Sequence, residues 1–233
     1  MSIYAIADLH LSFASPKPMN IFGDNWTNHE LKIKESWMNT VKAEDLVLLP
    51  GDFSWAMSLD ETLEDFKYLS SMPGKKIMLK GNHDYWWNSL KKLNDYMKKN
   101  NFKDISFLYN NAYEFEGKII AGTRGWVLIS KEEEDKKIVN RELLRLELSI
   151  TEGIKEYGED KEIIVCMHYP PTNKTLLENS NFIKVMQKYN VKKCIYGHLH
   201  GESHSEAIEG NVGGIELKLV SADYVNFKLI KIA

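Results

Sequence analysis

The stretch KKIMLKGNHD, residues 75–84, decides how the chain is read. Its apolar run Ile77-Met78-Leu79 has the length of a buried strand, and Gly81, Asn82, His83 and Asp84 follow almost at once. A turn accounts for the Gly and the Asn, but not for the His and Asp behind them. The same arrangement recurs in both directions. Ser2 to Ala7 runs into Asp8-Leu9-His10, and Leu46 to Leu49 into Gly51-Asp52. Ile163 to Met167 runs into His168-Tyr169-Pro170-Pro171, and Cys194 to Tyr196 into Gly197-His198-Leu199-His200. Ligands of open sheets collect outside the carboxyl ends of strands. Oxygen- and nitrogen-bearing residues repeated at such ends therefore predict a metal site there.

Between these strands the spacing turns helical. Thr27 with Glu30 predicts a capping box opening a helix to about Lys42, with Ile33, Trp37 and Val41 on its buried stripe. Ser58 with Glu61 predicts the same start for a helix carrying Leu63, Phe66 and Leu69. Further helices are expected over about 88–99 and 180–189. The longest is expected over Lys131 to Tyr157, where Val139, Leu143, Leu146, Ile150 and Ile154 share a stripe. Strands are expected near 105–108, 112–116 and 118–122, and the tail reads as strands broken at Gly213-Gly214 and near Asp223. Early β–α alternation and later meandering strands predict an α/β chain of the mixed, α+β kind, with mixed sheets covered by helices. The 233 residues contain no repeat or linker and are read as one domain, 1–233. The loop 11–28 is long for a compact domain, which predicts a functional role for it.

A net charge of −3 and the lack of a basic stripe argue against nucleic acid as a partner. No membrane span or signal peptide is legible, and a cytoplasmic protein is expected. Cys166 and Cys194 lie in apolar runs outside any zinc spacing and read as buried thiols, although Cys166 shares its strand parity with His168. Arginine is scarce. Arg124, in Gly-Thr-Arg-Gly-Trp at a strand end, reads equally as a clamp on phosphate oxygens and as an exposed turn residue. Arg141 and Arg145 read as a solvated helix face.

The donors suit divalent metals. Residues i and i+2 of a strand face one side, so Asp8 and His10 can share an ion, and so can His198 and His200 or one to each ion. The Asp52 carboxylate has two oxygens with which to bridge a pair. Mixed His, Asn and carboxylate ligation suits Mn, Fe, Zn or Ni better than Ca or Mg.

Taken in order, the clusters from residue 8 to residue 200 resemble those of the calcineurin-like metallophosphoesterases, a superfamily of dimetal phosphoester hydrolases. The resemblance implies a four-layer αββα sandwich of two mixed sheets flanked by helices, with the metal site at strand C-terminal ends. It implies two divalent metal ions, manganese foremost and Fe, Zn or Ni as alternatives. Carried over by motif, Asp8, His10, Asp52 and His200 would hold the first ion, and Asp52, Asn82, His168 and His198 the second. His83 would be the general acid or transition-state donor, with Asp84 orienting its imidazole. The implied reaction is attack of a metal-bridging hydroxide on a small phosphomonoester or phosphodiester.

One block departs from the pattern of several phosphatase branches. Gly51-Asp52-Phe53-Ser54-Trp55-Ala56 lacks the Arg of Gly-Asp-x-x-Asp-Arg, which argues against a protein-phosphatase or dinucleotide-polyphosphate activity. The alternative function is a catalytically silent scaffold on the same fold. Such relatives typically lose ligands, whereas this chain keeps the full set. Trp26, Trp55 and Trp86, with Phe13 and Phe22, are expected to wall a substrate pocket and Trp87 to sit in the core. His29 and His204 match no ligand position and read as capping or surface residues. Oligomeric state is not legible.

Overall fold

A computed structural model describes residues 1–14 and 17–233, so Ser15 and Pro16 of the loop 11–28 lie outside the described residues. The first half alternates as expected: β1 (Ile3–Ala5), α1 (His29–Thr40), β2 (Leu46–Leu49), α2 (Leu63–Ser70), β3 (Lys75–Met78), α3 (Leu90–Lys99) and β4 (Ile105–Phe107). The second half follows with β5 (Tyr113–Phe115), β6 (Lys118–Thr123), α4 (Glu133–Tyr157), β7 (Glu162–Met167), α5 (Asn181–Lys188) and β8 (Lys193–Tyr196). It ends with β9 (Gly210–Val212), β10 (Ile215–Leu219) and β11 (Ile230–Lys231).

Two mixed sheets result. One has the order β11-β1-β2-β3-β4, parallel except for β11. The other has the order β5-β6-β7-β8-β10-β9, with antiparallel pairs only at its two edges. The Gly213-Gly214 break is the turn of the β9–β10 hairpin, both glycines taking positive φ.

Strand parity sorts the side chains into layers. Val47 and Leu49 of β2 join Ile33 and Trp37 of α1, Phe66 and Leu69 of α2 and Leu93 of α3 in one cluster. Ile163, Val165 and Met167 of β7 join Leu146 and Ile150 of α4 and Phe182 and Met186 of α5 in a second. The alternate residues, Leu46, Leu48 and Ile77 from one sheet and Ile120, Ile164 and Ile195 from the other, form a third cluster between the sheets. Helices, sheet, sheet, helices is the four-layer αββα sandwich. Each such Leu or Ile removed from water contributes roughly 1.5–3 kcal/mol, so the layering is driven by apolar burial. Among the described residues, no helix is long and apolar enough to cross a membrane.

Neither predicted capping box forms. The N-cap of α1 is Asn28 in the left-handed region (φ 54°), and it makes no side-chain cap bond. Trp26 is drawn into the core just before it, which leaves Thr27 outside the cap position. Ser58 is likewise displaced by a 3₁₀ turn over Asp60–Thr62, and Glu61 instead accepts from the Met57 N–H at 2.8 Å.

Candidate metal centre

The two parallel centres of the sheets bring five loops together. The loops after β1 and β2 run side by side: the Asp8 N–H donates to the Gly51 carbonyl (2.9 Å) and the His10 N–H to the Asp52 carbonyl (3.0 Å). Asp8 (φ 60°), His10 (φ 46°), Asp52 (φ 51°) and His198 (φ 75°) all hold left-handed backbone. Such geometry costs on the order of 1–3 kcal/mol per residue and persists where surrounding bonds over-determine it. Asp8 and His10 therefore converge because the chain leaves the strand after Ala5 and curls. The pleat of a strand, the reason expected from sequence, does not operate there.

Glycine is required where these loops meet. A Cβ on Gly81 would lie 2.0 Å from Asp52 Oδ1, and one on Gly51 would lie 2.6 Å from His168 Nδ1. The loops after β2 and β3 can touch only with hydrogen at both positions.

All seven expected ligand side chains come together. His10 Nε2 lies 3.4 Å from His200 Nε2, and His200 Nε2 lies 3.7 Å from Asp8 Oδ1. On the other side, Asn82 Oδ1 lies 2.7 Å from His168 Nε2 and 2.9 Å from His198 Nδ1. Asp52 Oδ2 stands between the two groups, 3.9 Å from His10 Nε2 and 3.5 Å from His168 Nε2. Ligands about 2.0–2.2 Å from a shared ion sit roughly 3–3.5 Å apart, so these spacings fit cations. Asp8, His10 and His200 form one group able to hold an ion, and Asp8, Asp52 and His168 another. Asp8 Oδ1 is buried without a hydrogen-bond partner, which a buried carboxylate oxygen tolerates poorly unless a cation faces it.

The electrostatics agree. Burial keeps the His10, His168 and His198 rings below the ordinary imidazole range, His198 at about 3, so their nitrogens are free to donate lone pairs. Burial opposes a proton on His200 too, but Asp8 and Asp223 outweigh it and lift that ring to about 10. Burial and the neighbouring Asp8 charge push the Asp52 carboxyl up, while Asp8, surrounded by His200, His168 and His10, is held low despite its burial. A site that shares protons among its carboxylates and imidazoles in this way exchanges them for cations.

The structure adds residues that the sequence reading passed over. His200 Nδ1 donates to Asp223 Oδ1 (2.8 Å), and the Gly201 N–H donates to Asp223 Oδ2 (3.1 Å). His168 Nδ1 donates to the Pro50 carbonyl (3.0 Å). Both contacts leave Nε2 facing the centre, the usual way that metal-ligating imidazoles are oriented. Asp223 follows the alternating strand Ile215 to Leu219, and with no flanking His or Gly it reads as a turn. His29 is not a surface residue: its buried ring lies between the Leu9 (Nε2, 3.1 Å) and Trp26 (Nδ1, 3.2 Å) carbonyls, tying the loop 11–28 to the Asp8–His10 turn. His204 is half-buried, 3.2 Å from Asp223 Oδ2.

Asp84 does not touch the His83 ring. Its carboxylate accepts from the main-chain N–H groups of Gly81 (2.7 Å), Asp52 (3.0 Å), Phe53 (2.9 Å) and Ser54 (3.3 Å) and from Trp86 Nε1 (3.0 Å). Burial and the Asp52 charge push it up to about 6, against the pull of these donors. It clasps two loops rather than orienting an imidazole. The His83 N–H donates to Asp52 Oδ1 (2.8 Å), its ring lies 4.5 Å from Trp55 and 5.8 Å from His10, and its buried Nδ1 has no partner among the described residues.

A cavity of about 280 Å³ opens on the His10, His83 and His200 side, walled by Trp26, Trp55 and Phe22. Trp55 stacks on His10 (4.8 Å, 21°), and the Trp26 ring lies 5.7 Å from His200. Trp86 is not part of this wall: it is fully buried against Phe53 and Phe66. Phe13 packs on Tyr68, away from the cavity. Cys166 and Cys194 are free and buried, and burial pushes both thiols up, away from reactivity.

A family model of calcineurin-like phosphoesterases matches residues 1–202. The chain belongs to that family and is a metal-dependent phosphoesterase. No curated protein matches the chain. Similar solved structures include a protein of unknown function from Aquifex aeolicus (18% identity, TM-score 0.51, 99% of this chain and 95% of that chain). They also include a phosphopantetheinyl hydrolase from Mycobacterium tuberculosis (12%, TM-score 0.57, 99% and 95%). A third is a protein from Thermus thermophilus (14%, TM-score 0.56, 99% and 97%). At these identities the likeness is one of fold.

Proposed function

We propose that the chain hydrolyses a small phosphomonoester or phosphodiester at a centre of two divalent ions, manganese foremost. The observation that carries this reading is the position of Asp52 Oδ2 between His10 and His168, one carboxylate facing both ligand groups. Asp8, His10, Asp52 and His200 would hold one ion, and Asp52, Asn82, His168 and His198 the other. Two bound divalent ions supply a water whose pKa falls toward about 7 and neutralise charge on phosphoryl oxygens.

The chain's own groups do the rest. Asp223 and the Pro50 carbonyl hold the Nδ1 protons of His200 and His168 and so fix both tautomers. His83, anchored through its main chain on Asp52 and with Nδ1 unpaired among the described residues, donates a proton or hydrogen bond to the departing oxygen. Asp84 is a positioning residue that holds the Asp52 loop against the His83 loop. Trp26, Trp55 and Phe22 offer apolar walls to the alcohol part of the ester. Retention of every ligand position supports a hydrolase over a silent scaffold.

The test is hydrolysis of aryl phosphate mono- and diesters with manganese present and after chelation. The reading expects turnover with manganese and its loss on chelation; activity indifferent to chelator, or none on any ester of the panel, would contradict it.

A further inference from the structure

The chain's three arginines, one on a loop and two a turn apart on α4, meet in one place. Arg124 after β6 and Arg141 and Arg145 on α4 line a cleft of about 370 Å³ together with Lys80. Its wall holds one acidic residue, Glu142. Glu142 is 1% exposed and accepts from Arg145 Nη1 (2.8 Å), Arg141 Nε (3.3 Å) and Thr123 Oγ1 (2.7 Å). Arg145 is half-buried on this contact while Arg141 stays exposed, so the solvated helix face expected from sequence fits Arg141 and is corrected for Arg145. One carboxylate against four cations leaves an excess of three positive charges, in a chain whose net charge is −3.

Three further observations point to a ligand. Trp87 lines the same cleft, is 9% exposed, and its buried Nε1–H has no acceptor among the described residues. A buried donor without an acceptor is rare and calls for one. The Arg124 guanidinium is held over the Trp126 ring at 4.5 Å, which limits its freedom before any ligand arrives. The cleft also adjoins the metal centre. Lys80 directly precedes Gly81-Asn82-His83, and the Arg124 carbonyl accepts from the N–H groups of His168 (3.2 Å) and Tyr169 (2.9 Å).

We propose that this cleft binds a phosphate dianion, as the second phosphate of a substrate whose first phosphate is cleaved at the metal centre. The location of cleavage rests on the phosphoesterase reading above; the anion site does not. Guanidinium forks match phosphate oxygens in pairs, and three of them with an ammonium, offset by the single Glu142 carboxylate, leave an excess of donors and positive charge that a doubly charged acceptor satisfies.

The experiment is calorimetric titration of inorganic phosphate into the manganese-loaded full chain, joined to kinetics on matched esters bearing one or two phosphates. Two phosphate sites are expected, one of which Arg141→Ala weakens roughly tenfold. Because Arg145 makes the shorter of the two arginine contacts to the buried Glu142 carboxylate, the paired variant Glu142→Gln/Arg145→Gln, which removes both charges together, serves as the second probe and weakens the same site. Arg141→Ala also lowers the preference for the two-phosphate ester, measured as a ratio of kcat/KM, by roughly tenfold. Phosphate binding that neither variant alters overturns the anion site. Binding that the variants weaken, without any preference for the two-phosphate ester, identifies free phosphate as the occupant and overturns the substrate assignment. A single site that responds to the variants in a chain without esterase activity upholds the anion site while the hydrolase reading fails.

Discussion

His83 and Asp84 are neighbours in sequence with separate tasks. Asp84 accepts from five N–H groups that tie the Asp52 loop to the Gly81 loop. Removing it leaves buried donors unpaired at about 1–3 kcal/mol each, although water entering the space would recover part of that. Asp84→Ala is therefore expected to lose about 3–5 kcal/mol in urea unfolding. His83→Ala is expected to keep its stability and its metal content but to lower turnover by about 10²–10⁴. Equal loss of metal and turnover in His83→Ala would make His83 a structural residue.

Asp223 supplies a second residue-scale test. Asp223→Ala frees the His200 ring, and metal affinity is expected to fall about 10–100-fold, read by titration against a competing chelator; unchanged affinity would remove Asp223 from the site. The cluster of candidate donors was legible because His, Asn and Asp behind an apolar run have few structural reasons to be there. Asp223 was not, because a lone carboxylate looks like a turn, and Asp84 was singled out for the wrong task, because a main-chain clasp has no sequence signature.

At the scale of elements, strands and helices were readable from periodicity. The face shared by Leu146 and Ile150 is the buried face of α4. Helix starts were not, since burial of Trp26 and the 3₁₀ turn before Leu63 shifted the chain out of both capping registers. Packing of apolar bulk outweighs a cap worth about 1 kcal/mol. The convergence of Asp8 with His10 was anticipated for a reason that fails, since left-handed backbone, not the strand pleat, aims them. Among the aromatics, loop position separated wall from core poorly: Trp26 and Trp55 border the cavity, whereas Trp86 sits beneath it. Trp26→Ala and Trp55→Ala are expected to raise KM for the preferred ester several-fold, by roughly 1 kcal/mol of lost contact each. Unchanged kinetics in both variants would remove the aromatic wall from substrate binding.

At the scale of the molecule, the central cluster draws on both sheets, and each sheet delivers part of the expected ligand set. Asp8, Asp52 and Asn82 leave the five-stranded sheet, while His168 and His198 leave the six-stranded one. We propose that the 233 residues fold as one domain for this reason, and the urea curves that read Asp84→Ala are then expected to show one transition. The convergence of Lys80 with Arg124, Arg141 and Arg145 belongs to this scale as well; linear charge patterning cannot reveal a cleft assembled from three loops and helices.

The central claim is a pair of cations sharing Asp52. Manganese titrated into chelated protein, with hydrolysis of an aryl phosphate followed alongside, tests it most directly. Two equivalents are expected to bind, with turnover appearing as the second is taken up. Full turnover at one equivalent, or a calorimetric endpoint at one ion per chain, would contradict it.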